Sequence, residues 1–241
     1  KLVKILSIVL LMNTVNYFGK NYTMNYLDDM PDCAVNKAVS RNRIWEPRIV
    51  KMYARLLNKD SVVLDIGAHL GTHTIPFSHL CKKVYAFEPQ KKIFNLLKKT
   101  ISDNQINNVK LYNNIVSDTD GESMEFINSD TGKASACTLR PYLNGVTSNE
   151  ITMTIDNLKL GAVHFMKIDV EKAEWFVLRG AKDTIMKYKP IILLETFRSK
   201  KNKNKLNCFC EIYNYEATYI SCDNYLLQPI AKPVPIKETL S

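Results

Sequence analysis

From Trp45 onward, apolar and polar positions along the chain alternate between two spacings. "PRIVKMYARLL" (Pro47–Leu57) carries its apolar residues at helical spacing, with Pro in the first turn. "SVVLDIG" (Ser61–Gly67) is a short β-branched run closed by Gly, as a buried strand would be. "THTIPFSHL" (Thr72–Leu80) then begins a helix, with Pro76 early in it. The unit repeats with "KVYAFEP" (Lys83–Pro89) as strand and "KKIFNLLKKTISDN" as helix, and "VKLYNNIVSD" (Val109–Asp118) is a third strand. Two short strands, "ESMEFI" and "EITMTI", form an insertion before the fourth core strand, "VHFMKIDV" (Val163–Val170). "AEWFVLRGAKDTIMKY" is its helix, "PIILLET" (Pro190–Thr196) the fifth strand, and "EATYIS" with "NYLLQPI" a closing pair. This alternation predicts an α/β fold: a doubly wound parallel sheet with helices on both faces.

The first 44 residues do not join the pattern. They are read as an N-terminal extension, a lid or docking segment, ahead of a domain at 45–241. "KLVKILSIVLLMNTV" has a basic start and an apolar run, Ile5–Met12, as signal peptides do. The run is too short to span a bilayer, and no small-residue cleavage site follows it. The expectation is a helix or strand docked on the fold, or the remnant of a preceding domain; the start at Lys rather than Met suggests a piece of a larger chain.

Composition adds little to the fold and something to the partners. The chain of 241 residues is 46% hydrophobic and 24% charged, ordinary for a globular protein. Its formal net charge of +9 favours anionic partners such as nucleic acid, membrane or a phosphorylated substrate, or reflects only a lysine-rich composition. The dense basic run "RSKKNKNK" (Arg198–Lys205) reads as a solvated loop. Of the six cysteines, Cys208 and Cys210 are the only close pair, with one residue between them rather than the two or more usual for zinc ligands. Free thiols in a reducing, cytoplasmic compartment are expected.

Two clusters carry candidate chemistry. The first is "VVLDIGAHLGTHT": strand, tight Gly turn, helix start. Gly67 and Gly71 let the backbone pass close to a ligand, and Glu88 closes the second strand where a carboxylate can accept from ribose hydroxyls. The spacing is Gly-x-x-x-Gly, and His69 stands where a dinucleotide site needs its middle Gly for the pyrophosphate. S-adenosylmethionine (SAM) has no pyrophosphate and tolerates a side chain there. The second cluster is "FMKIDVEKAEWFVLRGA" (Phe165–Ala181), where Lys167, Asp169, Glu171 and Glu174 are set among apolar residues. Strand alternation puts Lys167, Asp169 and Glu171 on one side. Acidic helix caps paired with Lys167 are the plain structural reading of this cluster, and the preferred one for Glu174.

Together, "VVLDIGAHLGTHTIPFSHLCKKVYAFEPQ", "TIDNL" and "FMKIDVEKAEWFVLRGA" resemble the FkbM-type methyltransferases, from about Trp45 to about Glu195. The resemblance implies a SAM-dependent class I enzyme with a seven-stranded Rossmann-like sheet whose last strand is antiparallel. It also implies a sugar or glycan hydroxyl as acceptor, and in some members fusion to a glycosyltransferase. Asp65, Gly67, Ala68, His69, Gly71 and Thr72 would then surround the methionine part of SAM, Glu88 the ribose, and Ser117 with Asp118 the adenine. The family usually has Asn at position 69 and Gly at position 172; His69 and Lys172 depart from it, which bears on cofactor contacts and acceptor choice.

Asp169 would lie in the cleft beside the cofactor, with Glu195 at the end of the neighbouring strand. The pair can take the proton of an attacking hydroxyl, and like charges held close raise one pKa. Glu171 and His73 complete the candidate catalytic set; Trp45 and Glu46 could wall the acceptor. A Mg²⁺ ion held by Asp169 and Glu195 is a second route; the metal-free one is preferred because no third carboxylate is clearly placed. The alternatives are a nucleic-acid methyltransferase, suggested by the charge but without an aromatic-and-amide base pocket after the fourth strand, and an inactive SAM-fold binding module.

Overall fold

A computed structural model describes residues 10–27, 33–128 and 146–230. The first part of the apolar run, Ile5–Val9, and Cys137 lie outside the described residues. In chain order the elements are β1 (Leu10–Tyr17), β2 (Lys20–Leu27), α1 (Ala34–Ser40), α2 (Pro47–Leu56), β3 (Val62–Ile66), α3 (Thr74–Leu80) and β4 (Lys83–Phe87). Then come α4 (Lys91–Asp103), β5 (Val109–Tyr112), β6 (Ile115–Val116), β7 (Ser123–Asn128), β8 (Val146–Met153) and β9 (Phe165–Ile168). The chain closes with α5 (Glu174–Gly180), α6 (Lys182–Tyr188), β10 (Ile191–Glu195), α7 (Lys200–Tyr213), β11 (Tyr215–Ser221) and β12 (Asn224–Pro229).

The continuous apolar runs become central strands, because both of their faces must be covered. All four residues of β9 are buried, and so are four of the five in β3. The seven-stranded sheet runs β11-β12-β10-β9-β3-β4-β5. Its members from β10 to β5 are parallel, and β12 runs antiparallel to both β10 and β11. This is the class I methyltransferase sheet, with its last strand reversed. The helices lie over it as their patterns require: α4 buries Ile93, Leu96, Leu97, Thr100 and Ile101, a stripe at helical spacing.

Three elements differ from the sequence expectation, each for a local reason. The third strand does not run through to Asp118. The side chain of Asn113 donates to the carbonyls of Glu88 and Pro89, and that of Asn114 to Ile151. The chain leaves the main sheet there, and β6 pairs instead with β8 of the insertion. The long helix after the fourth strand is two helices. Asp156 supplies α6 with its own start, its carboxylate accepting from the backbone N–H of Asp183 and Thr184. The basic run is not a loop: Lys200–Lys205 opens α7, capped by Ser199, whose hydroxyl accepts from Asn202 N–H. The apolar positions that anchor this helix, Leu206, Phe209, Cys210 and Tyr213, all follow the basic run.

The N-terminal segment forms a hairpin, β1–β2, turned at Phe18 and Gly19, both with positive φ. Val15, Tyr17, Tyr22 and Met24 face inward and share one core with Ile49, Tyr53 and Phe77. Polar contacts fix it to α4: Asn25 reaches Thr100 and Asp103, and Asn104 spans the backbone of Thr23. Among the described residues, no helix is long and apolar enough to cross a membrane, and Cys81, Cys208, Cys210 and Cys222 are free thiols.

Candidate active site

The strand order reverses direction between β3 and β9, and ligands of such sheets bind outside the carboxyl ends at that point. Two loops meet there. After β3 the chain turns at Gly67, with φ +86°; a Cβ on it would stand 1.8 Å from the Asp169 carbonyl oxygen. Only glycine lets the ends of β3 and β9 lie so close. His69 is also left-handed, at φ +50°, and its N–H donates to Glu88 Oε2 at 3.0 Å. Gln90 N–H donates to Glu88 Oε1 at 2.8 Å. Burial pushes the Glu88 carboxyl up to about 7, against the pull of these two bonds. Each oxygen keeps a further lone pair, the acceptor set that two vicinal ribose hydroxyls require.

Around this carboxylate stand the other residues expected to hold the donor. Ala68 N–H donates to Phe87, and Gly71 N–H to Ala68. Buried Asp65 accepts from the Thr74 hydroxyl at 2.6 Å, while its Oδ1 has no protein partner. Both ring nitrogens of His69 are buried and unpartnered; burial holds the imidazole neutral, lowering its pKa to about 4. Thr72 is buried, and its carbonyl accepts from Tyr17 of the hairpin at 3.1 Å. Unpartnered polar atoms beside a free-approach glycine and an acceptor carboxylate fit SAM, whose amino-acid tail and ribose supply matching groups. Ser117 is buried with its carbonyl against Gly180, where a Cβ would stand 1.9 Å away. Asp118 is ion-paired with Arg179 at 2.8 Å, so its carboxylate is already engaged by protein.

The second loop follows β9. Pairing of Ile168 with Leu194 brings the next residues, Asp169 and Glu195, side by side, close enough for each carboxyl group to act on the ionisation of the other. Lys167 Nζ lies 2.8 Å from Asp169 Oδ2. Burial alone would raise Asp169, but the Lys167 ammonium outweighs it and holds the carboxyl below its ordinary value. Glu195 moves the other way, up to about 8, through burial and then the Asp169 charge. The two carboxyls are thus driven apart, Asp169 towards the ionised form and Glu195 towards the protonated one.

Glu171 does not reach the cleft by strand alternation as expected. β9 ends at Ile168, and Glu171 and Lys172 take φ of +49° and +80°. This left-handed turn swings Glu171 beside Asp169, and burial pushes its carboxyl up to about 7. Glu174 is a brace: its Oε1 accepts from Lys172 N–H at 2.6 Å. Asp169, Glu171, Glu174 and Glu195 line one open cleft with Thr196, Phe197 and Asp223. More carboxylates gather here than the strand ends alone implied, although among the described residues no three His, Cys, Asp or Glu side chains are set as metal ligands.

His73 is buried rather than at the cleft edge. Its Nδ1 lies 2.9 Å from the Tyr53 hydroxyl, and its Nε2 lies 3.1 Å from Glu46 Oε2 without hydrogen-bond alignment. Asn224 holds the other oxygen of Glu46 at 3.4 Å. Glu46 thus braces His73, and both nitrogens face protein groups. Sequence reasoning missed Tyr53, Asn224, Asp223 and Phe197. Tyr53 was within reach, four residues after Ile49 on the buried stripe of α2; Phe197 and Asp223 stand on the loops after β10 and before β12, which carry no periodic signal, and Asn224 is the first residue of β12, opposite Glu195.

The Methyltransferase FkbM domain family matches residues 65–225. The structure is similar to the methyltransferase FkbM from Methylobacillus flagellatus KT, at 17% identity and a TM-score of 0.54, over 76% of this chain and 50% of that one. It is also similar to the T. thermophilus 16S rRNA N2 G1207 methyltransferase, solved with AdoMet and guanosine, at 12% identity and a TM-score of 0.53, over 92% of this chain and 51% of that one. This chain thus spans about half the length of each, and at such identities the likeness is one of fold. No curated protein matches the sequence. With the family match extending over well more than half of its length, from the end of the first core strand to the reversed last strand, the chain belongs to the FkbM methyltransferase family, of the SAM-dependent type.

Proposed function

We propose that the domain transfers the methyl group of SAM to a sugar hydroxyl of a glycan or glycoconjugate. The observation that carries this is the Asp169–Glu195 pair beside the Gly67 loop. SAM supplies a methyl group on a sulfonium, an electrophile that needs no further activation. The protein's task lies with the acceptor, because a neutral hydroxyl is a poor nucleophile. In the in-line displacement the hydroxyl oxygen bonds to the methyl carbon and the carbon–sulfur bond breaks, leaving the thioether with the electron pair. The hydroxyl proton passes to the carboxylate pair, whose Glu195 has been tuned towards neutral pH. Positioned bases of this kind contribute roughly 10²–10⁴-fold.

Lys167 keeps Asp169 ionised, and the Asp169 charge in turn helps to raise Glu195, the member of the pair that takes up the proton. Glu88 would hold the ribose hydroxyls of SAM, and His69, with both ring nitrogens unpartnered, would contribute to holding its amino-acid part. We read the hairpin as a docking segment that steadies the donor loop through Tyr17 and Thr72.

The test is a mass-spectrometric acceptor screen: protein and SAM with hexosides, deoxyhexosides and a short RNA, with and without EDTA. A one-methyl gain on a sugar, lost in Asp169→Ala, supports the reading. Loss of the gain with EDTA assigns the deprotonation to a divalent ion instead. Methylated RNA with untouched sugars overturns the sugar acceptor.

A further inference from the structure

The acidic cleft is rimmed by cations, each seated over an aromatic ring. Lys172 Nζ lies 5.4 Å from the ring centre of Phe197. The Arg198 guanidinium lies 5.0 Å from that of Tyr219, and Lys205 Nζ 5.4 Å from that of Trp175. Cation–ring pairs recur over this lysine-rich surface, so pairing alone means little. Their place sets these three apart. Phe197 lines the cleft and Arg198 is next to it in the chain. Lys205 is close enough to Glu174, another lining residue, to act on its ionisation. Among the described residues, none of the three cations forms an ion pair. The two rings are also partly exposed, Phe197 by 47% and Tyr219 by 45%.

Lys172 adds a second, independent observation. It holds φ +80°, a conformation that glycine adopts freely and a lysine does not. The chain nonetheless places a long cationic side chain there, directed at the ring beside the cleft mouth.

We propose that this rim selects an acceptor sugar bearing an anionic group, a phosphate or a carboxylate. The inference rests on the sugar-hydroxyl reading above and names the class of sugar. Charge is segregated here: carboxylates at the centre, cations at the edge. An anionic sugar is repelled from the centre and held at the rim, so its charged substituent points outward and a hydroxyl points at Asp169 and Glu195. The flat apolar face of the ring lies on Phe197, as sugar C–H groups do on aromatic faces. Three of the molecule's 33 lysines and arginines thereby gain a role beside the reacting atoms.

The test compares methyl glucoside, its 6-phosphate and methyl glucuronide, with a short RNA assayed alongside for methyl transfer. Each sugar is titrated by calorimetry into the protein loaded with S-adenosylhomocysteine, and assayed for methyl transfer with SAM. The expected result is binding at least tenfold tighter for the charged sugars, weakening as salt rises. The phosphate and glucuronide arms tell which anion is preferred. In Lys172→Gly, which removes the cation and suits the backbone, the charged-to-neutral ratio should fall several-fold, and in Arg198→Ala likewise. A ratio near one in the unaltered protein, or one unmoved by both substitutions, overturns the rim proposal and leaves the sugar reading standing. Binding of no sugar of any kind, with RNA methylated instead, overturns both.

Discussion

The two halves of the cleft are built from different materials. The donor half is backbone: a Gly turn, a carboxylate fixed by two N–H groups, and a loop pinned by Tyr17. The acceptor half is side chains: four carboxyl groups and Lys167 whose ionisation states depend on one another. Backbone geometry is set by the fold and tolerates little change. Coupled charges can be retuned by one substitution, so specificity can change in this half while the donor half stays fixed.

The sharpest way to break the comparison is at Asp169. Asp169→Ala should lower kcat/KM by roughly 10²–10⁴-fold while SAM binding, followed by calorimetry, stays within a few-fold. Equal loss of both would mean that the halves are not separable. Glu88→Gln should do the converse. Losing hydrogen bonds to a charged acceptor costs about 1.5–3 kcal/mol, or about 10–150-fold in SAM affinity, with kcat at saturating SAM largely kept.

Smaller effects come with pH. Glu195 titrates near 8 and is active as a base only when deprotonated, so kcat/KM should rise about tenfold per pH unit up to that value. In Glu195→Gln that limb should flatten. Stability should move the opposite way. Glu88, Glu171 and Glu195 all have folded-state pKa values raised above their ordinary ones, to about 7, 7 and 8. Such groups bind more protons folded than unfolded, so their contribution is complete below about pH 4.3 and is lost as pH rises through 7 to 8. His69, lowered to about 4, opposes this only in more acidic solution. Tm by calorimetry should therefore fall by a few degrees between pH 6 and pH 8.5, and less in Glu171→Gln.

The same division decides what the sequence could show. Gly67, Glu88, Asp169 and Glu195 stand at strand ends, and apolar periodicity locates strand ends well. The side-by-side placement of Asp169 and Glu195 follows from register alone. Glu171 escaped because left-handed turns at non-glycine residues leave no periodic trace. The N-terminal half of α7 escaped because its lysines and asparagines are on solvent-facing turns, while its anchors, Leu206 and Phe209, come later. The surroundings of His73 were not legible because its partners come from earlier in the chain, Tyr53 on α2 and Glu46 at the cap before it.

The hairpin also bears on how the domain can be handled. Recognisable family sequence begins at Asp65, yet Val15, Tyr17, Tyr22 and Met24 are bricks of the same wall as Ile49 and Phe77. A recombinant fragment trimmed to the family boundary would expose that wall and free the carbonyl of Thr72 that Tyr17 holds. Expression, chimera building and loop grafting in this protein should therefore take their cut from the packing, upstream of Leu10, rather than from the motif.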